Sequence, residues 1–215
     1  MEPKKVSRKL LTRLPIYLNY IKSLPDDTMN ISATNMAHAL GLGDVLVRKD
    51  LAKVSNAGRC KLGYARETLA QDIEDFLDIN SLTGAIIVGA GKLGQALLDY
   101  GGFEASGMSI LAGFDQKPTK KRSSAGKPIY SMEKLPDFCK ENNIRIGIIT
   151  VPATEAQKVC DCLICCGIEA IWNFAPIHLV VPEKIVLQSE NLAVSLTALR
   201  LQLKRQQDQK AYIEI

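Results

Sequence analysis

Long apolar runs are absent: no stretch approaches the roughly 20 consecutive apolar residues that a membrane-spanning helix needs. Near the start, no basic segment leads into the apolar core of a secretory leader. Both absences give the expectation of a cytoplasmic protein with no membrane partner. Histidine is scarce, with 2 in 215 residues. His38 lies in a short N-terminal helix, and His178, in "FAPIHLVVPE", has apolar neighbours and no carboxylate close in sequence to orient it. Little is therefore on hand for acid–base catalysis, and neither histidine lies near a cysteine to complete a metal set. The expectation is no catalytic residue and no metal site.

Cysteine is present but crowded. Of 6 cysteines, Cys160, Cys162, Cys165 and Cys166 fall within "KVCDCLICCGIEAIW", a segment read as a helix from about residue 154 to a glycine cap at Gly167, then a strand. They read as small apolar core residues of a reducing compartment rather than a disulfide framework.

With 47% hydrophobic and 23% charged residues, the chain can bury a sizeable core as one large or two small domains. The net charge of +4 hides an asymmetry: residues 1–64 hold 11 Lys and Arg against 5 Asp and Glu, while the remainder holds 16 against 18. A basic N-terminal module attached to a near-neutral domain is what a polyanion binder would show.

Along the chain, "RKLLTRLPIYLNYIKSL" places Leu11, Leu14, Leu18 and Ile21 at helical spacing, with Pro15 marking a kink or a restart. In "NISATNMAHALGLGDVLVRKDLAKV", Ser32 reads as the N-cap of a short helix, "GLG" as a tight turn, and Asp44 as the N-cap of a second helix over 45–54. Two short helices around a glycine turn, the second bearing Arg48 and Lys49, form a helix-turn-helix pattern. The basic, glycine-bearing "SNAGRCKLGY" suits a wing, and residues 66–79 form an amphipathic helix. We place the domain boundary near residue 80.

From Gly84 onward strands alternate with helices. Strands are expected near 85–88, 108–114, 145–151, 168–173 and 184–188, and helices near 92–100, 132–142 and 154–166. The fold class is α/β, with a mostly parallel, doubly wound Rossmann-like sheet behind a winged helix. Within "AIIVGAGKLGQALLDYGGF", Gly89, Gly91 and Gly94 match the glycine turn that brings backbone N–H groups and a helix start to a dinucleotide pyrophosphate. In "ILAGFDQKP", Asp115 closes the next strand, where an acidic side chain accepts the adenosine ribose hydroxyls and repels a 2′-phosphate. NAD is thus favoured over NADP, although Lys117, Lys120, Lys121 and Arg122 lie nearby to neutralise a phosphate.

These parts together resemble the Rex family of redox-sensing repressors. The likeness runs through "LPIYLNYIKSL", "ISATNMAHALGLGDVLVRKDL", "VGAGKLGQALLDYGGF", "FDQKP", "TVPATEAQKVCDCL" and "GIEAIWNFAPIHLVVPE". The resemblance implies a homodimeric repressor of palindromic double-stranded operator DNA, released by NADH rather than NAD+. The three implied segments are a DNA-binding domain over 1–80, an NAD(H)-binding domain over 81–190, and a dimerisation helix over 191–215. By the same resemblance Gly89, Ala90, Gly91, Lys92, Leu93, Gly94, Tyr100, Asp115, Pro152 and Asn191 are cofactor-binding, with Tyr100 at the nicotinamide side. Ser32, Arg48, Lys49, Lys53, Arg59 and Lys61 are DNA-binding.

The C-terminal stripe Leu192, Leu196, Leu199 and Leu203 is compatible with a helix that crosses to a partner, and equally with one that docks on its own domain. Two departures from the family pattern concern charge. Asn19 stands where an arginine is usual in the first helix, and Asn191 where an aspartate precedes the last helix. The wing departs too, since Cys60 takes the place of an arginine, with Arg59 beside it and Lys53 upstream. Alternatives to the leading reading are a paralogue with weakened redox discrimination and a small NAD-dependent oxidoreductase.

Overall fold

The computed structural model describes residues 6–59 and 62–213. It divides into two compact units, one comprising the residues up to Leu82 together with Glu104–Met108, the other Thr83–Phe103 together with the chain from Ser109 onward. Membership of Glu104–Met108 in the first unit has no counterpart in the sequence-based boundary near 80.

In the first unit, α1 (Arg8–Ser23) opens on Ser7, whose Oγ accepts the Leu10 N–H at 3.3 Å. Its buried face carries Leu10, Leu14, Tyr17, Leu18 and Ile21, the spacing that turns one stripe inward. Pro15 neither breaks nor restarts this helix. It lies on the exposed face, as does Leu11 one turn before it, so the Leu11 carbonyl that loses an amide partner is on the side facing water. After β1 (Asn30–Ile31) come α2 (Ala33–Ala39) and α3 (Asp44–Val54), separated by a turn in which Gly41 takes φ +64°. Ser32 caps α2, its Oγ accepting the Asn35 N–H at 3.1 Å. Asp44 is not the cap of α3: Gly43 holds the extended N-cap position, and the Asp44 carboxylate instead receives Thr34 and Arg48.

Strand β2 (Tyr64–Ala65) pairs antiparallel with β1, and Arg59 and Gly63 bridge just ahead of it. This is the wing; Cys60 and Lys61 lie outside the described residues. Helix α4 (Arg66–Phe76) buries Leu69 and Ile73 against the α1 side of the core, ending three residues earlier than its apolar pattern suggests.

One side chain pins this unit together. Asp50, almost wholly buried, accepts Arg13 Nε at 2.7 Å on Oδ2, Arg13 Nη2 at 3.0 Å on Oδ1, and the Tyr17 hydroxyl at 2.9 Å on Oδ2. The run "VRKDL" thereby acquires a physical reading. Val47, Asp50 and Leu51 face the core while Arg48 and Lys49 face out.

The second unit is a six-stranded sheet of β3 (Thr83–Val88), β4 (Met108–Asp115), β5 (Ile129–Ser131), β6 (Ile146–Ile149), β7 (Ala170–Asn173) and β8 (Val186–Ser189). Their spatial order is β5-β4-β3-β6-β7-β8, with parallel pairing at β4–β5, β3–β6, β6–β7 and β7–β8. The Gly89 N–H donates to the Phe114 carbonyl at 2.7 Å, so β3 and β4 end side by side. The chain builds outward from β3 in one direction and then restarts from β3 in the other, which is the doubly wound order with its switch point between β3 and β6. Strand β5 went unforeseen because it has only three residues and follows a polar loop.

Alternation along β3 sends Ile86 and Val88 to one face and Ile87 to the other. The first face packs against α6 (Leu135–Glu141) and α7 (Ala153–Cys165) through Leu135, Cys139, Ala156, Cys160 and Leu163. The second packs against Leu98 of α5 (Lys92–Leu98) and an aromatic group that includes Phe103, Trp172 and Phe174. Cys139 and Cys160 are thus core residues, and burial pushes the Cys160 thiol up to about 11.

The last helix, α8 (Leu192–Ile213), departs from every other element. Every residue from Asn191 to Asp208 is exposed, and Leu196 retains 68% of its accessible surface. Docking of this leucine stripe on the chain's own domain is therefore excluded. Asn191 caps α8, its Oδ1 accepting the N–H groups of Ala193 and Val194, each at 3.1 Å.

Candidate functional site

Where β3 and β6 end next to each other, their following loops part and leave a cleft of about 460 Å³. The loop after β3 is the glycine turn. Gly89 takes φ +104°, and a Cβ there would stand 2.9 Å from the Thr150 backbone, so a side chain is excluded twice. A Cβ on Gly94 would collide with the Gly89 carbonyl oxygen, so α5 can begin this close to the strand only with glycine there. Gly91 is different: a Cβ there would meet nothing within 4 Å, and the residue borders the cleft. Backbone is bare at that point, and no side chain caps the first turn of α5, whose N–H groups lack intrahelical partners. Such a turn accepts a phosphate.

Asp115, at the end of β4, lies beside the glycine turn. Its Oδ2 accepts the Ala90 N–H at 2.8 Å and its Oδ1 the Lys117 N–H at 2.9 Å, holding a carboxylate against the glycine turn at the cleft's edge. Pro152, which precedes α7, lines the cleft, as do Met132, Val159 and Cys162. Glycine turn, carboxylate and apolar wall together suit the pyrophosphate, ribose and base of a dinucleotide.

Two residues that shape the cleft escaped the sequence reading. Thr150, just past β6, directs its hydroxyl at the carbonyls of Val88 and Gly89, at 3.1 and 2.7 Å. Gln95 Nε2 donates to the Ala90 carbonyl at 2.7 Å. Each ties down a carbonyl of the turn and so helps to fix its conformation. The position of Gln95 one helical turn after Gly91 was a legible signal; Thr150 lies too far away in sequence to show one.

The predicted cofactor set divides. Gly89, Gly91, Asp115 and Pro152 line one cleft, and Ala90 joins them through its bond to Asp115. Lys92 and Leu93 lie at the start of α5 with exposed side chains that do not line it. Tyr100 lies beyond the far end of α5, largely exposed, its ring 4.9 Å from Phe103, which in turn meets Trp172 at 5.9 Å. Asn191 borders a separate cavity with Pro176, His178 and Glu190. Beside it, the fully buried Asn173 folds the "NFAPI" turn by donating to the carbonyls of Ala175 and Ile177, both at 3.1 Å. It also accepts the Ala175 N–H at 2.9 Å.

The basic module presents Arg48, Lys49 and Lys53 on one exposed side of α3, and Arg59 at the root of the wing. The Ser32 hydroxyl is occupied as the α2 cap. Gly63, at φ +80°, leaves no room for a side chain, since a Cβ there would strike the Ile31 carbonyl oxygen, so the wing closes tightly on β1.

Among the described residues no cluster of three His, Cys, Asp or Glu side chains is placed to hold a metal ion. The Cys166 thiol is pushed up to about 12, by burial first and then by neighbouring Cys162 and Cys139. Such thiols are protonated and poorly nucleophilic near neutrality. Among the described residues no helix is long and apolar enough to cross a membrane.

An outward-facing helix-turn-helix with a wing and a Rossmann sheet with a glycine turn at its switch point define a nucleotide-responsive DNA-binding protein. Residues 5–52 match the family model "Putative DNA-binding protein N-terminus", and residues 80–177 match "CoA binding domain". The chain is 37% identical, over 93% of both chains, to the redox-sensing transcriptional repressor Rex of Porphyromonas gingivalis. It is 39% identical to that of Treponema denticola, over 84% of this chain and 87% of the relative. A crystal structure of RSP in complex with beta-NAD+ and operator DNA superposes with a TM-score of 0.86 at 33% identity, covering 97% of each chain. RSP in complex with beta-NADH gives 0.83 at 32%, covering 97% of this chain and 99% of that one. The chain belongs to the Rex family of redox-sensing transcriptional repressors. That family consists of repressors rather than enzymes, and the oxidoreductase alternative is dropped.

Proposed function

We propose that this chain represses transcription by binding operator DNA through its winged helix, as a homodimer, and that NADH in the Rossmann cleft releases it. The observation that carries this reading is the joint presence, in one chain matched over 93% of its length by a Rex repressor, of an exposed Arg48–Lys49 pair on α3 and a bare glycine turn at the sheet's switch point. Residues 1–80 contact DNA, 81–190 hold the dinucleotide, and 191–215 join the two protomers. A repressor of this kind works where the chromosome is, in the cytoplasm.

Gly89, Gly91 and Gly94 bring backbone N–H groups to the pyrophosphate, with Ala90, Lys92 and Leu93 completing the turn. Asp115 receives the adenosine ribose hydroxyls. Tyr100 and Asn191 act at the nicotinamide end, outside the cleft lined by the glycine turn. On the DNA side Arg48 enters the major groove and Lys49 flanks it, Arg59 and Lys61 on the wing meet phosphates, and Ser32 and Lys53 lie at the same DNA-binding surface. The nicotinamide ring is positively charged only in the oxidised form, which is the difference a sensor reads. If NADH and DNA favour different states of the dimer, each weakens the other by the same free energy.

The test is enrichment of genomic fragments by the purified protein with and without NADH and NAD+, at one fixed salt concentration because phosphate contacts make affinity salt-dependent. Enrichment abolished by NADH alone supports the sensor. Enrichment indifferent to both forms retains the DNA-binding role and overturns redox control. No enrichment overturns the repressor itself.

A further inference from the structure

Three cations face outward on α3, and only one is fixed. Among the described residues the side chains of Lys49 and Lys53 make no hydrogen bond or ion pair, unlike that of Arg48. Arg48 Nη2 donates to Asp44 Oδ2 at 2.9 Å and to Thr34 Oγ1 at 3.2 Å, and Thr34 Oγ1 itself donates to Asp44 Oδ2 at 3.2 Å. The three side chains close a ring between the two helices of the helix-turn-helix: Thr34 belongs to α2, Asp44 and Arg48 to α3. Among the described residues Asp44 Oδ1 is buried without a partner, and Oδ2 carries both bonds.

An exposed Asp–Arg pair one helical turn apart contributes little to stability, and the Arg48 side chain here keeps 64% of its accessible surface. Its consequence is orientation. An arginine reads a guanine edge with a planar fork, and the reading is only as selective as the fork's placement. A free arginine stem loses rotamer freedom on docking, whereas one already tied to two helices has lost much of it beforehand. The stronger, charge-assisted bond to Asp44 holds the guanidinium in place, and the longer bond to Thr34 is the one a base acceptor would displace.

Resting on the DNA-binding reading above, we propose that Asp44, held by Thr34, is a positioning residue that fixes the Arg48 guanidinium for base recognition and so sets operator discrimination. Lys49 and Lys53, unfixed, supply phosphate attraction that carries no sequence information.

The experiment measures affinity of the full chain for two duplexes at one salt concentration: the sequence that wild type enriches from a randomised library, and a random duplex of equal length. The proteins are wild type, Asp44→Ala, Asp44→Asn, Arg48→Ala and the double Asp44→Ala/Arg48→Ala. Asp44→Ala is expected to lower the ratio of the two affinities about tenfold, within the range for one two-pronged base contact. Affinity for the random duplex stays or rises, since a negative charge has left the vicinity of the phosphates. Asp44→Asn keeps an oxygen acceptor and falls in between. With Arg48 already replaced, removing Asp44 leaves the ratio unchanged. An unaltered ratio in Asp44→Ala overturns the proposal, as does an equal drop in the Arg48→Ala background, which would mark a helix-start effect. If wild type enriches no sequence, the DNA-binding reading fails with it, and that result is distinct because it is seen before any substitution.

Discussion

The carboxylate of Asp115 accepts the backbone N–H of Ala90 at 2.8 Å, joining the end of β4 to the glycine turn that follows β3. The bond places a negative charge at the edge of the cleft while leaving lone pairs on both oxygens for a ribose.

Asp115→Ala is therefore expected to weaken NADH binding by about tenfold or more, the scale of a charged hydrogen bond, and to narrow the margin over NADPH. Titration calorimetry with both nucleotides checks this. Unchanged affinity for each would remove Asp115 from the ribose site.

Gly94→Ala introduces a Cβ onto the Gly89 carbonyl oxygen, a backbone atom that cannot swing aside. Overpacking of this kind costs about 1–3 kcal/mol, so the melting temperature falls and NADH affinity falls with it. Gly91→Ala, at a position with open space, leaves the melting temperature near wild type. Equal losses of stability in the two variants would contradict the packing argument.

The Arg13–Asp50–Tyr17 group ties α1 to α3 within the core. Removing Asp50 leaves the Arg13 charge unpaired in a mostly buried place, and Asp50→Ala should cost about 3–5 kcal/mol. Burial first, and then the Asp50 carboxylate, push the Tyr17 phenol from 10.0 up to about 12. Because the folded value lies above the unfolded one, the unfolded chain gives up this proton first. The stabilisation is complete below pH 10 and is lost as pH rises through about 12. Denaturant midpoints measured across that window should decline in wild type and decline less in Tyr17→Phe.

Exposed leucines along α8 require a covering surface, and the family's homodimer supplies one. Leu196→Asp is expected to convert the protein to monomers in sedimentation analysis and to weaken operator binding, because a monomer presents one half-site reader rather than two. A dimer that persists in this variant would place the interface elsewhere.

Asn191 keeps the N-cap of α8 although the charge usual at that position is absent, since its side-chain oxygen does the capping. The cap explains why asparagine is tolerated there and leaves the electrostatic consequence standing. The preference for NADH over NAD+ should be weaker than a charged pair would give, and the double replacement Asn19→Arg/Asn191→Asp should raise it. A strong preference already in wild type would sink this expectation.

Much of the architecture is legible in sequence because it is written at short range. The β3 run and the glycine turn that follows it are contiguous, as are the buried stripe of α1 and the Ser32 cap. What escaped is what depends on distant partners. Strand β5 is defined by its register on β4, and Thr150 meets the glycine turn across 61 residues. Asp44 has the composition of an N-cap, yet its carboxylate is drawn to Arg48 and Thr34, a competition local preference does not contain.

By itself the sequence determined the fold class, the two-part organisation and the position of the glycine turn, because periodicity and glycine spacing act within a few residues. Only the tertiary structure decided which residues share the cleft, that the Asp50 carboxylate is the buried tie of the basic module, and that the leucines of α8 find no cover on their own chain. Those outcomes depend on which distant surfaces meet, and burial and hydrogen bonding across the fold set that rather than local preference.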